Sequence, residues 1–214
     1  MKYRLTLAAF ALSILAAAPA SAQLANFPVT PVPMMGEAPQ SSASFNYGRG
    51  LNSGSGEENA FGLGYARTGA TIGFTVGAAI VTYDSSEFTF GGQVGTQVYA
   101  GEMFDIGVQG GFGFMSPGDL TWLHFPIGAS FNSEVEVGDG TMLNPWFMPR
   151  FSITNLSGDD IDSRTEFDPG ISAGVGMALS GGFGISAALD WLLVDGSDPF
   201  LLGFGVSYLI GGAN

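Results

Sequence analysis

Most of this chain follows a period of two, in ten stretches where apolar side chains alternate with small or polar ones. In the clearest stretch, Phe104 to Phe114, the even-numbered positions are apolar except Gly110, and the odd-numbered positions hold Gly, Gln or Asp. A period of two places these sets on opposite faces of a β-strand. The apolar faces must therefore either meet one another in a soluble core or face lipid around a polar lumen.

The ten stretches are predicted strands, and most exceed the five or six residues usual in soluble sheets. Short glycine-containing turns alternate with mostly longer, acidic loops, which is typical of barrels whose short turns face the periplasm. The sequence predicts an all-β, antiparallel up-and-down transmembrane β-barrel of ten strands, or of eight if the first hairpin does not join the wall. The predicted strands are residues 42–51, 60–67, 70–83, 87–99, 103–115, 120–137, 141–155, 167–179, 182–193 and 199–210.

The beginning of the chain has the features of a cleavable export signal. Lys2 and Arg4 precede an apolar run over residues 5–18, and Ala20-Ser-Ala22 offers a small-residue cleavage site. The run is shorter than the roughly 20 residues that a spanning helix needs. We therefore expect residues 1–22 to be a signal peptide that is removed on export, and residues 41–214 to be the β-barrel domain.

Between these two parts, residues 23–40 carry four prolines and show no period. This composition predicts an extended, Pro-rich periplasmic leader with polyproline character. The leader could hang in the periplasm or tuck into the barrel, and a disordered terminus is the alternative.

Charge limits the partners. After residue 22 the chain has four arginines, no lysine and nineteen acidic residues, a net charge of −15. Such a surface repels phosphate backbones, so we expect no nucleic-acid partner. Divalent cations could bind the acidic loops, of which residues 157–166 are the richest in carboxylates. That loop lacks the EF-hand spacing, so a solvated acidic loop is the alternative and no protein metal site is predicted. The absence of cysteine rules out disulfides and a cysteine-linked lipid anchor.

The last predicted strand reads Gly203-Phe-Gly-Val-Ser-Tyr-Leu-Ile210. It resembles the C-terminal β-signal of Gram-negative outer-membrane proteins, and Gly205, Tyr208 and Ile210 carry the match. With the export signal and strand pattern, the chain resembles small outer-membrane β-barrels of the OmpA/OmpX/OmpW-like kind. The resemblance implies location in the cell outer membrane after export through the periplasm. It also implies that outer-membrane lipid and, through the C-terminal strand, the barrel-insertion machinery are partners.

Parity assigns several polar and large side chains to the lumen. Arg150 is predicted to pair with Asp168 on the next strand, because a low-dielectric lumen penalises a lone charge. The alternative is that water solvates each charged group separately. A functional hypothesis is that Arg150 forms a constriction that attracts anions. The candidate lumen-binding residues are Arg150, Asp168, Asp190, Asp105, Gln109 and His124. Further candidate fillers of the lumen are Tyr99, Trp122, Trp146, Gln93 and Gln97.

The sequence favours a structural or surface-interaction role, with acidic outer loops and a lumen lined by small residues. A small passive pore is the alternative, since ten strands enclose more space than eight. A soluble secreted β-sandwich that binds a ligand is a more distant alternative. His124 is the only histidine, and no Ser/His/Asp order accompanies it. We therefore predict no catalytic residue, no cofactor and no enzymatic activity.

Overall fold

A computed structural model of the protein describes most of the chain after the predicted signal peptide. The predicted signal peptide, most of the predicted leader, parts of several loops and residues 211–214 lie outside the described residues. The described residues are 27–32, 39–55, 57–69, 71–82, 86–138, 141–159, 161–193 and 198–210.

These residues form eleven β-strands and one short 3-10 helix, Ser53–Ser55. The strands are β1 (Gln40–Gly50), β2 (Asn59–Thr68), β3 (Gly73–Thr82), β4 (Ser86–Ala100), β5 (Asp105–Met115), β6 (Leu120–Asn132), β7 (Val135–Gly138), β8 (Thr141–Gly158), β9 (Ile161–Ala178), β10 (Phe183–Leu192) and β11 (Phe200–Ile210). No helix of this described part is long and apolar enough to span a membrane.

The strands close into a single antiparallel barrel. Neighbours in sequence are neighbours in space, β6 pairs with β8, and β1 pairs with β11 to complete the ring. The short β7 continues β6 along the edge of β8, so ten strands make up the wall. The predicted ten-stranded, up-and-down barrel is confirmed. The first hairpin is part of the wall, so the eight-stranded alternative does not apply.

The outer face of the wall is apolar, as the parity of the sequence predicted. Mid-strand side chains such as Ile127, Phe151 and Val206 project outward and leave about half or more of their surface uncovered by protein. The apolar faces do not pack against one another, as they would in a β-sandwich. An apolar belt around a closed barrel is the surface that lipid covers.

A β-bulge in β4 changes the orientation of one predicted lumen residue. The register with β5 shifts between Gln97 and Tyr99, so the alternation of faces is interrupted there. Tyr99 therefore lies outside, half exposed, with its ring centroid 5.7 Å from that of Phe104. The prediction that Tyr99 fills the lumen was wrong.

Strands β8 and β9 are the longest, at 18 residues each. β9 pairs with β10 only between Gly170 and Ala178. Its first part, Ile161 to Asp168, pairs with β8 alone and extends past the end of β10. We call this upper part of β8 and β9, residues 155–158 and 161–167, the hairpin tip.

Candidate functional site in the barrel lumen

Residues 27–32, Phe-Pro-Val-Thr-Pro-Val, lie inside the barrel. Phe27, Val29 and Val32 are each only 2% exposed. We call these six residues the lumen segment. Prolines at positions 28 and 31 fix φ and remove two backbone donors, which suits a segment that runs through a lumen without joining a ladder. This part of the predicted periplasmic leader is therefore inside the wall, the second of the two positions considered for it.

One end of the lumen segment is held by apolar contacts. Phe27 belongs to a buried cluster with Ala60, Val81 and Met115, against which Trp122 packs. The wall residue that faces the phenyl ring of Phe27 is Gly62, and a Cβ at this position would lie 3.2 Å from Cζ of Phe27. Small residues in β2 and β3 thus leave the space that the phenyl ring fills.

The other end is held by polar side chains that bind its backbone. Gln109 accepts a hydrogen bond at Oε1 from the Val32 amide (2.8 Å) and donates one from Nε2 to the Thr30 carbonyl (2.9 Å). The same Nε2 also donates to Oε1 of Gln93 at 2.7 Å. These contacts satisfy backbone groups that would otherwise be buried without partners.

Beside Gln109, an ion pair on the lumen side of the wall joins β8 to β10 over the intervening β9. Nη2 of Arg150 lies 2.6 and 2.8 Å from the two carboxylate oxygens of Asp190, and both side chains are 3% exposed. Arg150 also donates to the hydroxyls of Ser152 and Ser172, and Ser172 donates to Asp190 at 2.9 Å. Oδ2 of Asp190 accepts the Val29 amide at 3.2 Å. The pair is therefore hydrogen-bonded on several sides, as a buried ion pair must be to offset its desolvation.

The partner of Arg150 differs from the one predicted. We expected Asp168 on the adjacent strand, but the guanidinium forms its ion pair with Asp190, two strands away. The reason lies at Gly170, which faces Arg150 in the register of β8 and β9. A Cβ at Gly170 would lie 2.9 Å from Cζ of Arg150, so only a glycine lets the guanidinium pass over β9. Asp168 faces Ser152 in that register and is also buried.

The remaining candidates lie apart from this network. His124 is buried, with Nδ1 2.8 Å from Oγ1 of Thr154 and its ring stacked on Trp122 at a centroid distance of 5.0 Å. Asp105 accepts a hydrogen bond from the Gly101 amide at 3.2 Å and so stabilises the turn between β4 and β5. In the described part of the chain, no group of three or more His, Asp or Glu side chains is arranged to hold a metal ion.

The parity of the strands does not identify the lumen segment as part of the site. Its signal was present in the inward-facing glycines that lie opposite bulky groups. A Cβ at Gly203 would lie 2.7 Å from Cδ of Pro28, and one at Gly95 would lie 3.2 Å from Cβ of Val32. Glycines in strands often mark a close approach by another part of the chain, but one sequence does not say which part.

A closed antiparallel wall with an apolar exterior and a polar interior defines an outer-membrane β-barrel, and the protein belongs to this structural class. Comparison with protein-family models and with curated protein sequences gives no match. Among solved structures, the chain is similar to the β domain of the Bordetella autotransporter BrkA. The TM-score is 0.52 at 14% identity, over 80% of this chain and 99% of that one.

Two further solved barrels align over similar lengths. The KdgM porin gives a TM-score of 0.41 at 11% identity, over 79% of this chain and 99% of that one. The N-terminal β-barrel domain of Pseudomonas aeruginosa OprF gives 0.38 at 9% identity, over 80% and 97%. At these identities the likenesses concern the fold alone, and among these three structures the similarity to the BrkA domain supports it.

Proposed function

We propose that this protein is a sealed structural barrel of the outer membrane that presents its acidic loops and hairpin tip for interactions at the cell surface. The observation that carries the proposal is the lumen segment, which occupies the space that a passive pore would leave to water. The lumen is thus filled by the chain itself, and the surface available to partners is that of the loops.

The packing around the lumen segment supports a closed interior. Ten strands enclose more space than the eight whose side chains nearly fill a barrel, and here the segment takes up that extra space. Met148 is fully buried in the lumen beside Arg150. A cavity lined by Phe27 and Pro28 has a volume of about 10 Å³, close to the minimum that one water molecule needs.

Partners follow from the surface. Lipid surrounds the apolar belt, and β11, which closes the ring against β1, is the strand proposed to engage the insertion machinery. The hairpin tip carries Asp162 and Glu166, so divalent cations are proposed as loop ligands. No enzymatic role is proposed, because the hydroxyl beside His124 is that of a buried threonine bonded within the wall.

The closed lumen can be tested in planar lipid bilayers with the full mature chain. We expect a heat-modifiable, membrane-inserted protein that produces no discrete conductance steps. Regular single-channel steps from the unmodified protein would instead support the passive pore and overturn the sealed barrel.

Surface presentation can be tested by labelling, because the chain contains no cysteine. A membrane-impermeant maleimide should label Ser163→Cys in the hairpin tip on intact cells. The matched variant Glu102→Cys, in the short turn between β4 and β5, should react only after the outer membrane is permeabilised. The reverse pattern would place the acidic loops in the periplasm and contradict the proposed role.

A further inference from the structure

We propose that the lumen is a binding site for an extended, proline-containing peptide, that the chain's own residues 27–32 occupy it, and that their withdrawal opens a cation-selective pore. The inference goes beyond the sealed barrel proposed above, because it assigns the seal to one detachable segment.

The side chains of the site form hydrogen bonds to the backbone of the segment that occupies it. Gln109 and Asp190 are 7% and 3% exposed, and between them they bind the amides of Val29 and Val32 and the carbonyl of Thr30. Side chains that bind main-chain donors and acceptors recognise an extended backbone whatever its sequence. Pockets for alternate side chains add specificity for the sequence. Here the pocket is the apolar cluster around Phe27, and Gly203 and Gly95 leave room for Pro28 and Val32.

The lumen segment is also separable from the wall. It contributes no strand, and the barrel closes through β1 with β11 and β6 with β8 without it. Its described contacts are side-chain hydrogen bonds and apolar packing, with no ladder of backbone bonds. Its removal therefore leaves every strand pairing of the wall in place.

The charge of the emptied lumen sets its selectivity. Among the described residues, the buried charged side chains in the middle of the lumen are Arg150, Asp168 and Asp190, whose formal charges sum to −1. Asp105 adds another carboxylate toward the short-turn end of the barrel. Rings and clusters of carboxylates favour cations in pores, so an opened lumen should pass potassium in preference to chloride.

The first experiment removes the apolar hold on the segment in the otherwise complete mature chain. The variant Phe27→Ser/Val29→Ser/Val32→Ser should insert and show discrete conductance, with a reversal potential shifted toward that of the cation in a salt gradient. The synthetic hexapeptide Phe-Pro-Val-Thr-Pro-Val, added to the bath, should abolish that conductance, whereas the serine-substituted hexapeptide should not. An inserted triple variant that stays silent would overturn the inference and leave the sealed barrel intact.

The second experiment locks the segment in place. A Cβ at Gly95 would lie 3.2 Å from Cβ of Val32, slightly below the usual separation in a disulfide of roughly 3.5–4.5 Å. Val32→Cys/Gly95→Cys should therefore cross-link in membranes on oxidation. Adding Phe27→Ser/Val29→Ser to this pair should give a barrel that is closed when oxidised and conducting when reduced.

The cross-link also decides the matter if the triple variant does not assemble. The Val32→Cys/Gly95→Cys protein keeps Phe27 and its apolar cluster. A Cβ at Gly95 also lies 3.0 Å from Cβ of Gln109, so that side chain must shift by a few tenths of an ångström. Failure of the two cysteines to cross-link in an inserted, heat-modifiable barrel would show that the segment does not occupy the lumen, and the inference would be wrong. Conductance from the unmodified chain is the separate result that overturns the sealed barrel itself.

A glycine pair provides a matched control for the fit of the segment. A Cβ at Gly203 would lie 2.7 Å from Pro28, whereas a Cβ at the inward-facing Gly176 has its nearest neighbour at 3.8 Å. Gly203→Ala should raise the frequency of channel openings above that of the unmodified protein, and Gly176→Ala should not. Equal frequencies of channel openings in the two variants would contradict the proposed packing of Pro28 against Gly203.

Discussion

Two arginine–carboxylate pairs among the described residues lie in very different surroundings, one in the lumen and one on the hairpin tip. Arg150 and Asp190 lie 2.6 Å apart with both side chains 3% exposed. Arg164 and Glu166 lie 3.1 Å apart with the side chains 64% and 31% exposed. Both pairs join a guanidinium to a carboxylate, so a comparison of their contributions to stability shows the effect of burial in the barrel interior.

In the lumen, each charged group depends on its partner because protein and not water surrounds it. Removing one partner leaves the other buried and uncompensated, which is the costly case for ion pairs. On the hairpin tip, water and salt compete with the pair, and the net gain is small. The lumen should therefore be sensitive to single substitutions that the hairpin tip tolerates.

The largest expected effect comes from breaking the buried pair. Arg150→Ala leaves Asp190 without its guanidinium and should lower the free energy of unfolding by about 3–5 kcal/mol. Urea unfolding of the protein from lipid vesicles measures this change. If the loss is below about 1 kcal/mol, water reaches the pair and the contrast with the hairpin tip fails.

A matched double variant separates the cost of a lone charge from the value of the pair. Arg150→Met/Asp190→Leu removes both charges and keeps most of the side-chain volume. It should recover most of the stability lost in Arg150→Ala, because apolar replacements of buried ion pairs are often neutral. The recovery should be partial, since the Val29 amide also loses its acceptor.

The next effect tests the polar hold on the lumen segment. Gln109→Ala leaves the Val32 amide and the Thr30 carbonyl without their partner, and should cost about 2–3 kcal/mol in the same unfolding measurement. The control is Gln97→Ala, because this half-buried glutamine of β4 makes no side-chain hydrogen bond to the described residues. Equal losses in the two variants would mean that Gln109 acts by its volume alone.

The wall and its interior differ in how far the sequence predicts them. The ten strands can be predicted from a period of two, because each mid-strand side chain faces either lipid or the lumen and its polarity matches that surrounding. The partner of Arg150 does not follow from parity, because it depends on the missing side chain at Gly170 and on the reach of a long side chain. Asp168 and Asp190 share the same face, and only the geometry of three neighbouring strands distinguishes them.

The lumen segment was harder to predict for a different reason. Residues 27–32 have no period, because their contacts come from several strands around them and not from a repeating neighbour. Proline and apolar residues are equally compatible with a free leader and with a buried one. The bulge that turns Tyr99 outward is similarly local, since it shifts the register of β4 without any change in the alternation of the flanking residues.

A smaller effect is expected at His124. Thr154→Val removes the hydroxyl that lies 2.8 Å from Nδ1 of this buried histidine and should cost about 1–2 kcal/mol. Thr154→Ser keeps the hydroxyl and should recover more than half of that loss. If valine leaves the stability unchanged while serine destabilises the barrel, the hydrogen bond contributes nothing and the methyl group of Thr154 is what matters.

The smallest effect is expected on the hairpin tip. Arg164→Ala removes an exposed pair and should change the free energy of unfolding by less than about 1 kcal/mol. At 1 M salt the Debye length falls to about 3 Å, so even this difference should vanish there, whereas the loss in Arg150→Ala should persist because salt does not enter the filled lumen. A loss in Arg164→Ala that equals that of Arg150→Ala and resists salt would show that the hairpin tip is covered in the membrane-bound protein. The contrast between the two pairs would then reflect burial by a partner at the surface as well as burial by the barrel.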